Sequence, residues 1–161
     1  REIIDYLRKH GSIRLSMPYG EACLRMPPER PLLLVAAGTG FAQAKSLVDF
    51  LRSSRMAHPV YLYWGARNER ELYLRELPER WESEWPQFRF RPVICEADSV
   101  TDCHHERLVE AILADGHQLD SVTVMACGSP AMVYSTLDGL VEQGLDADAF
   151  YSDVLQYAPR E

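Results

Sequence analysis

Two short turns in this sequence can hold a ligand largely through their backbones. One is Ala37-Gly38-Thr39-Gly40 and the other Cys127-Gly128-Ser129-Pro130; each separates an apolar run from a segment of helical period. Residues without a Cβ let backbone approach a bound group closely. Thr39 can cap the helix that follows or donate its hydroxyl, while Ser129 has the character of an N-cap and Pro130 that of a first helical residue. Where helix N-termini point unpaired N–H groups outward, such turns suit an anionic ligand. A glycine turn after a strand is also an ordinary tight connection, so either turn alone leaves both readings open. The fingerprint G-x-G-x-x-G is incomplete, because Gln43 stands where its third glycine would be, and an ordinary Rossmann dehydrogenase is not supported.

Other reactive residues are less directive. The planar fork of Arg67 suits a phosphate, and an ion pair with Glu69 or Glu71 suits it equally. His104 and His105 follow Cys103, but neighbours on a helix point about 100° apart and no thiol or carboxylate pair completes a metal site, so a helix start is the reading. The four cysteines, Cys23, Cys95, Cys103 and Cys127, have neither zinc nor iron–sulfur spacing and read as reduced thiols.

The elements that must position the two turns follow from periodicity. "PLLLVAA", "PVYLYWGAR", "FRFRPVIC", "SVTVMAC" and "DAFYSDV" read as strands. Between them, "FAQAKSLVDFLRSS", "ERELYLRELPERWESEW" with an interruption near Pro78, "HHERLVEAILADG" and "PAMVYSTLDGLVEQG" read as helices. Strands apolar throughout, alternating with helices, predict an α/β domain: a doubly wound parallel sheet flanked by helices. Ligands of such sheets bind outside the carboxyl ends of the strands, where both glycine turns fall.

The first thirty residues break this rhythm. "EIIDYLRKHG" predicts a short helix stopped by Gly11, "SIRLSM" a strand, and "PYGEACLRMPPERP" a connection. The expected organisation is therefore residues 1–30 as the tail of a preceding domain plus linker, and residues 31–161 as the α/β domain. The chain opens on Arg1 and reads as a piece of something longer. Its 161 residues suit one core, and 47% apolar with 25% charged residues is a globular composition. A net charge of −7 argues against broad contact with nucleic acid or an anionic membrane. No apolar run nears the roughly 20 residues of a bilayer span, so a cytoplasmic location is expected.

Taken together, "LLLVAAGTGFAQAKSLV", "YLYWGARNERELYLRELPERW", "VTVMACGSPAMV" and "FYSDVLQYAPR" occur in the order and spacing of one family. The chain resembles the pyridine-nucleotide domain of the ferredoxin–NADP reductase superfamily, most of all the flavin reductases and the oxygenase-type NAD(P)H reductases. "EIIDYLRKHGSIRLSMPYGEACLR" resembles the close of that family's flavin domain, with Tyr19 and Gly20 in its pyrophosphate segment.

The resemblance implies that NADH, or NADPH, binds here and passes hydride to FAD or FMN held by a flavin domain missing from this chain. Electrons would go on to free flavin, an iron–sulfur protein or an oxygenase component. It places Gly38, Thr39 and Gly40 beside the nicotinamide and pyrophosphate. Cys127 then lies near the reacting ring, with Thr39 as the second catalytic position; Gly128, Ser129 and Met132 complete the second turn. Gly65 and Arg67 border the nucleotide, and Phe150, Tyr151 and Asp153 border the flavin. Cys95 and Glu96 occupy the places where NADPH-specific relatives hold the 2′-phosphate, so the Glu96 carboxylate favours NADH, an exposed Glu96 with no ligand role being the other reading. Three alternatives stay open: buried or strand roles for Cys127, Phe150 and Tyr151; a docking or regulatory module that keeps the nucleotide fold; and a flavodoxin-like protein binding a phosphate at Gly38.

Overall fold

The computed structural model describes residues 2–14, 22–94 and 103–160. Five strands form one sheet: β1 (Leu32–Ala37), β2 (Val60–Ala66), β3 (Phe88–Ile94), β4 (Thr123–Cys127) and β5 (Phe150–Tyr151). All pairs are parallel and the order is β3-β2-β1-β4-β5. The winding reverses between β1 and β4, which opens a crevice at their carboxyl ends.

Helices α2 (Phe41–Ser53), α3 (Glu76–Glu84), α4 (Cys103–Ala114) and α5 (Pro130–Val141) cover the sheet, with α1 (Glu2–His10) before it and α6 (Val154–Tyr157) at its end. The period of two along each strand divides the core. Leu32, Leu34, Ala36, Leu62, Trp64 and Met125 face one layer, which α2 fills with Phe41, Ala44, Leu47, Val48 and Leu51. Leu33, Val35, Tyr63, Val124 and Ala126 face the other, against Leu108 and Ile112 of α4 and Met132, Val133 and Leu140 of α5. With both faces covered, β1 reads as an unbroken apolar run.

Three details depart from the sequence reading. The charged segment after β2 is not one helix interrupted at Pro78. A 3₁₀ turn, Glu69–Glu71, precedes a separate α3 in which Pro78 is the third residue. There a missing N–H costs nothing, because first-turn donors have no partner inside a helix. The last strand is only Phe150–Tyr151, because the buried Ser152 hydroxyl accepts from the Val154 N–H at 3.3 Å and turns the chain into α6. Residues 12–14 of the "SIRLSM" strand candidate are irregular, and the rest lies outside the described residues. α4 begins at Cys103, in accord with the helix-start reading of Cys103, His104 and His105.

Helix α1 buries none of its residues, and Ile3, Ile4 and Tyr6 are more than half exposed. Ala22 and Leu24 pack on the first core layer. Between residues 23–30 and the β4–β5 face, at Thr123, Met125 and Tyr151, lies a cavity of about 650 Å³.

Candidate functional site

Gly38, Thr39 and Gly40 form a single 3₁₀ turn running directly into α2. Gly38 has φ +53°, a left-handed conformation that favours glycine, and a Cβ there would meet nothing within 4 Å. Its carbonyl accepts a 3.2 Å hydrogen bond from Nε1–H of Trp64, a fully buried residue of β2. Phe41, the first residue of α2, stacks on Trp64 at 3.9 Å between ring centroids and 6° between planes. The turn is thus held from beneath by one indole, through its edge and its face.

The missing side chain of Gly40 serves a different purpose from that of Gly38. A Cβ on Gly40 would fall on the carbonyl oxygen of Cys127 and stand 2.5 Å from its carbonyl carbon. The two glycine turns, 87 residues apart in sequence, are therefore in direct backbone contact. The β1–β4 register, with Ala36 opposite Cys127, brings them to the same level. Close approach at Gly40 is to the protein's own second turn, where the sequence reading expects a ligand.

In that second turn the Ser129 hydroxyl accepts from the Met132 N–H at 3.3 Å, and Pro130 opens α5, as the capping signature predicts. Thr39 caps nothing: the N-cap position of α2 is Gly40, and among the described residues the exposed Thr39 hydroxyl makes no hydrogen bond. It remains free to bind a ligand. Met132 is fully buried, with Cε where a Gly128 side chain would go, so it supports the turn from below.

Cys127 is 3% exposed. Burial, with a further contribution from the Asp153 carboxylate, pushes its thiol up to about 12. It is neutral at physiological pH and unsuited to nucleophilic attack, which needs the thiolate. Asp153, after β5, accepts a 2.9 Å hydrogen bond from Nε2 of Gln43 in the first turn of α2. Tyr151 is 45% exposed and Phe150 4%, one face outward and one inward.

On the β2 side, Gly65 is buried, and a Cβ there would lie 3.0 Å from Leu108 of α4, so its bareness serves helix–sheet packing. Arg67 is engaged by Glu71: Nε lies 2.8 Å and Nη2 2.6 Å from Oε1, and the Arg67 backbone N–H donates to Oε2 at 3.0 Å. Of the two partners open in the sequence, Glu71 is taken, while Glu69 pairs with Arg75. Glu96, Cys95, Tyr19 and Gly20 lie outside the described residues.

This geometry joins two glycine turns, the exposed Thr39 hydroxyl, a neutral thiol and a carboxylate at one switch point. Residues 34–138 match the family described as the oxidoreductase NAD-binding domain. The chain belongs to that family, within the ferredoxin–NADP reductase superfamily. Reductase component 1 of terephthalate 1,2-dioxygenase from Comamonas sp is 35% identical over 158 residues, covering 98% of this chain and 47% of that protein. The NAD(P)H-flavin reductase of Vibrio harveyi is 32% identical over 122 residues, 76% of this chain and 52% of that one. The structure of the Amycolatopsis cytochrome P450 reductase GcoB is similar at TM-score 0.69 and 25% identity, over 85% of this chain and 42% of that chain. The chain spans about half the length of the curated relatives it matches.

Two contributors escaped the sequence reading of this NAD-binding domain. Trp64 looks like any core aromatic of a strand, and only its indole N–H, which needs a partner when buried, hints at more. Gln43 is visible only as the residue that breaks the glycine fingerprint.

Proposed function

We propose that this chain is the nucleotide-binding part of a flavin-dependent NADH reductase, in which residues 1–30 close a flavin domain and residues 31–161 present the dinucleotide. The observation that carries this is the junction of the two glycine turns at the β1/β4 switch point, a place where a bound pyrophosphate would meet the N-terminal ends of α2 and α5. The dinucleotide fits what is there. Gly38 leaves its outer side open, Thr39 offers a hydroxyl with no partner among the described residues, and Gly128 and Ser129 begin the second helix without an intervening bulky side chain.

The chain's own residues orient. Gly38, Thr39, Gly40, Gly128 and Ser129 hold the pyrophosphate and ribose by backbone and hydroxyl groups, with Met132 supporting the turn. Cys127, neutral and buried, offers a small polarizable surface to the nicotinamide ring and no competing nucleophile. Gly65 and Arg67 border the nucleotide on the β2 side, the latter tethered by Glu71, and Tyr151 and Asp153 flank the flavin side. A flavin, FAD or FMN, supplies the acceptor for the hydride leaving C4 of the nicotinamide and a store from which electrons leave. The Glu96 carboxylate favours the free ribose hydroxyl of NADH over the 2′-phosphate of NADPH.

The relatives that are dioxygenase reductase components support an oxygenase or iron–sulfur partner as the electron acceptor. Among the described residues no helix is long and apolar enough to cross a membrane. A docking module without chemistry is the weaker reading, because the relatives named above are reductases. Titration of the chain with NADH and with NADPH by ligand-observed NMR tests the proposal. Saturable binding, tighter for NADH, is expected; binding of neither overturns it.

A further inference from the structure

The hydrogen bond from Gln43 Nε2 to Asp153 Oδ2 joins α2 to the segment after β5, across 110 residues of sequence. Both residues are half-buried. Gly40, three residues before Gln43, rests on the Cys127 carbonyl, and the Asp153 carboxylate acts on the Cys127 thiol. The bond therefore crosses the end of β4, between Cys127, assigned above to the nicotinamide, and the flavin side on which Asp153 lies, so a nicotinamide ring placed between them meets it. It joins a primary amide, as donor, to a carboxylate. The carboxamide of a nicotinamide ring is also a primary amide, with the same NH₂ donor.

We infer that Gln43 is an intramolecular competitor for the nicotinamide carboxamide: its side-chain amide occupies Asp153 until the dinucleotide arrives and displaces it. This rests on the nucleotide-site reading and goes beyond it by naming what guards the nicotinamide end. Exchanging one amide for another on the same carboxylate keeps Asp153 satisfied in both states, so the ligand gains orientation there without leaving a half-buried carboxylate unpaired. ADP-ribose carries the adenosine and pyrophosphate but no carboxamide. It binds without disturbing the pair.

The test compares the 161-residue chain with its Gln43→Ala and Gln43→Leu variants, each titrated with NADH and with ADP-ribose, alongside thermal melts. The leucine variant keeps most of the side chain's bulk, so a packing defect in the alanine variant is recognisable. Removing the competitor should tighten NADH binding about threefold to tenfold in both variants and leave ADP-ribose binding unchanged. In the parent chain the Gln43 side-chain NH₂ resonances should move on addition of NADH and stay in place with ADP-ribose. Unchanged or weaker NADH binding in variants that melt like the parent overturns the competition and leaves the nucleotide site standing. A parent chain that binds neither compound removes the nucleotide site, and the competition with it.

Discussion

The contact between Gly40 and Cys127 predicts a specific penalty for the smallest possible substitution. In Gly40→Ala the new methyl would stand 2.5 Å from the Cys127 carbonyl carbon and closer still to its oxygen. Carbon atoms pack at about 3.5–4.0 Å, so the turns must separate by about 1 Å or more. Both sides of the contact are backbone, held by the β1–β4 ladder and by α2, so no side chain can rotate away. The cost belongs at the upper end for overpacking, about 3 kcal/mol. For a chain of this size that lowers Tm by about 6–12 °C. Gly38→Ala is the control: its methyl meets nothing, and it pays only the left-handed backbone penalty of about 1–2 kcal/mol. Circular-dichroism melts with parallel NADH titrations read both effects. Gly40→Ala should lose more stability than Gly38→Ala and bind NADH more weakly than the parent. If Gly40→Ala melts at or above the Gly38→Ala variant, the two turns are not in contact as described.

Further outcomes follow from other contacts. Trp64→Phe keeps a ring against Phe41 but removes the donor to the Gly38 carbonyl; a loss of about 1–3 kcal/mol in denaturant unfolding is expected, together with weaker NADH binding. At pH 8, iodoacetamide followed by peptide mass spectrometry should find the exposed Cys23 alkylated and Cys127 intact, because Cys127 is buried and its thiol is pushed up to about 12. A pH dependence comes from the far side of the sheet. Tyr63 donates to Asp115 Oδ2 at 2.8 Å, so its hydroxyl, having one proton, must accept from Nε2–H of His117 at 2.6 Å. Burial lowers His117 below its ordinary 6.5, partly opposed by Asp115. The unfolded chain therefore takes up a proton that the folded chain refuses, and stability falls as pH drops through about 6.5. His117→Gln, which keeps a donor to Tyr63 and cannot ionise, should flatten that slope between pH 5 and 7 in urea titrations.

Much of the fold was legible because burial on both faces writes parallel strands as apolar runs, as in "LLLVAA". Strand order was not, since nothing local in "SVTVMAC" says that it pairs with the first strand. Pro78 misled for a local reason: within a long charged segment it reads as a break, and only the turn at Glu69–Glu71 reveals that the helix starts just before it. The choice between Glu69 and Glu71 for Arg67 was invisible, because both carboxylates are within reach in sequence and the turn geometry decides. The glycines were recognisable as a pattern but not in their separate roles. A sequence shows that a Cβ is missing; whether the space stays open, as at Gly38, or is taken by Cys127, as at Gly40, is a tertiary fact.

That distinction bears on how the site works. A phosphate cradle made of two independent loops would have to be ordered by its ligand, at a cost in entropy. Here the Gly40–Cys127 contact, the Trp64–Gly38 hydrogen bond and the Phe41–Trp64 stack fix both turns to a shared, fully buried support through contacts within the protein itself. The polar bond across the crevice, Gln43 to Asp153, joins two side chains rather than two backbones, and it is half-buried rather than enclosed. Side chains rotate far more readily than a ladder opens. The backbone cradle is therefore the constant part of this site and the amide–carboxylate pair its adjustable part. In the competition proposed above, discrimination between a full dinucleotide and its ADP-ribose portion belongs to the second, since the first responds to both alike.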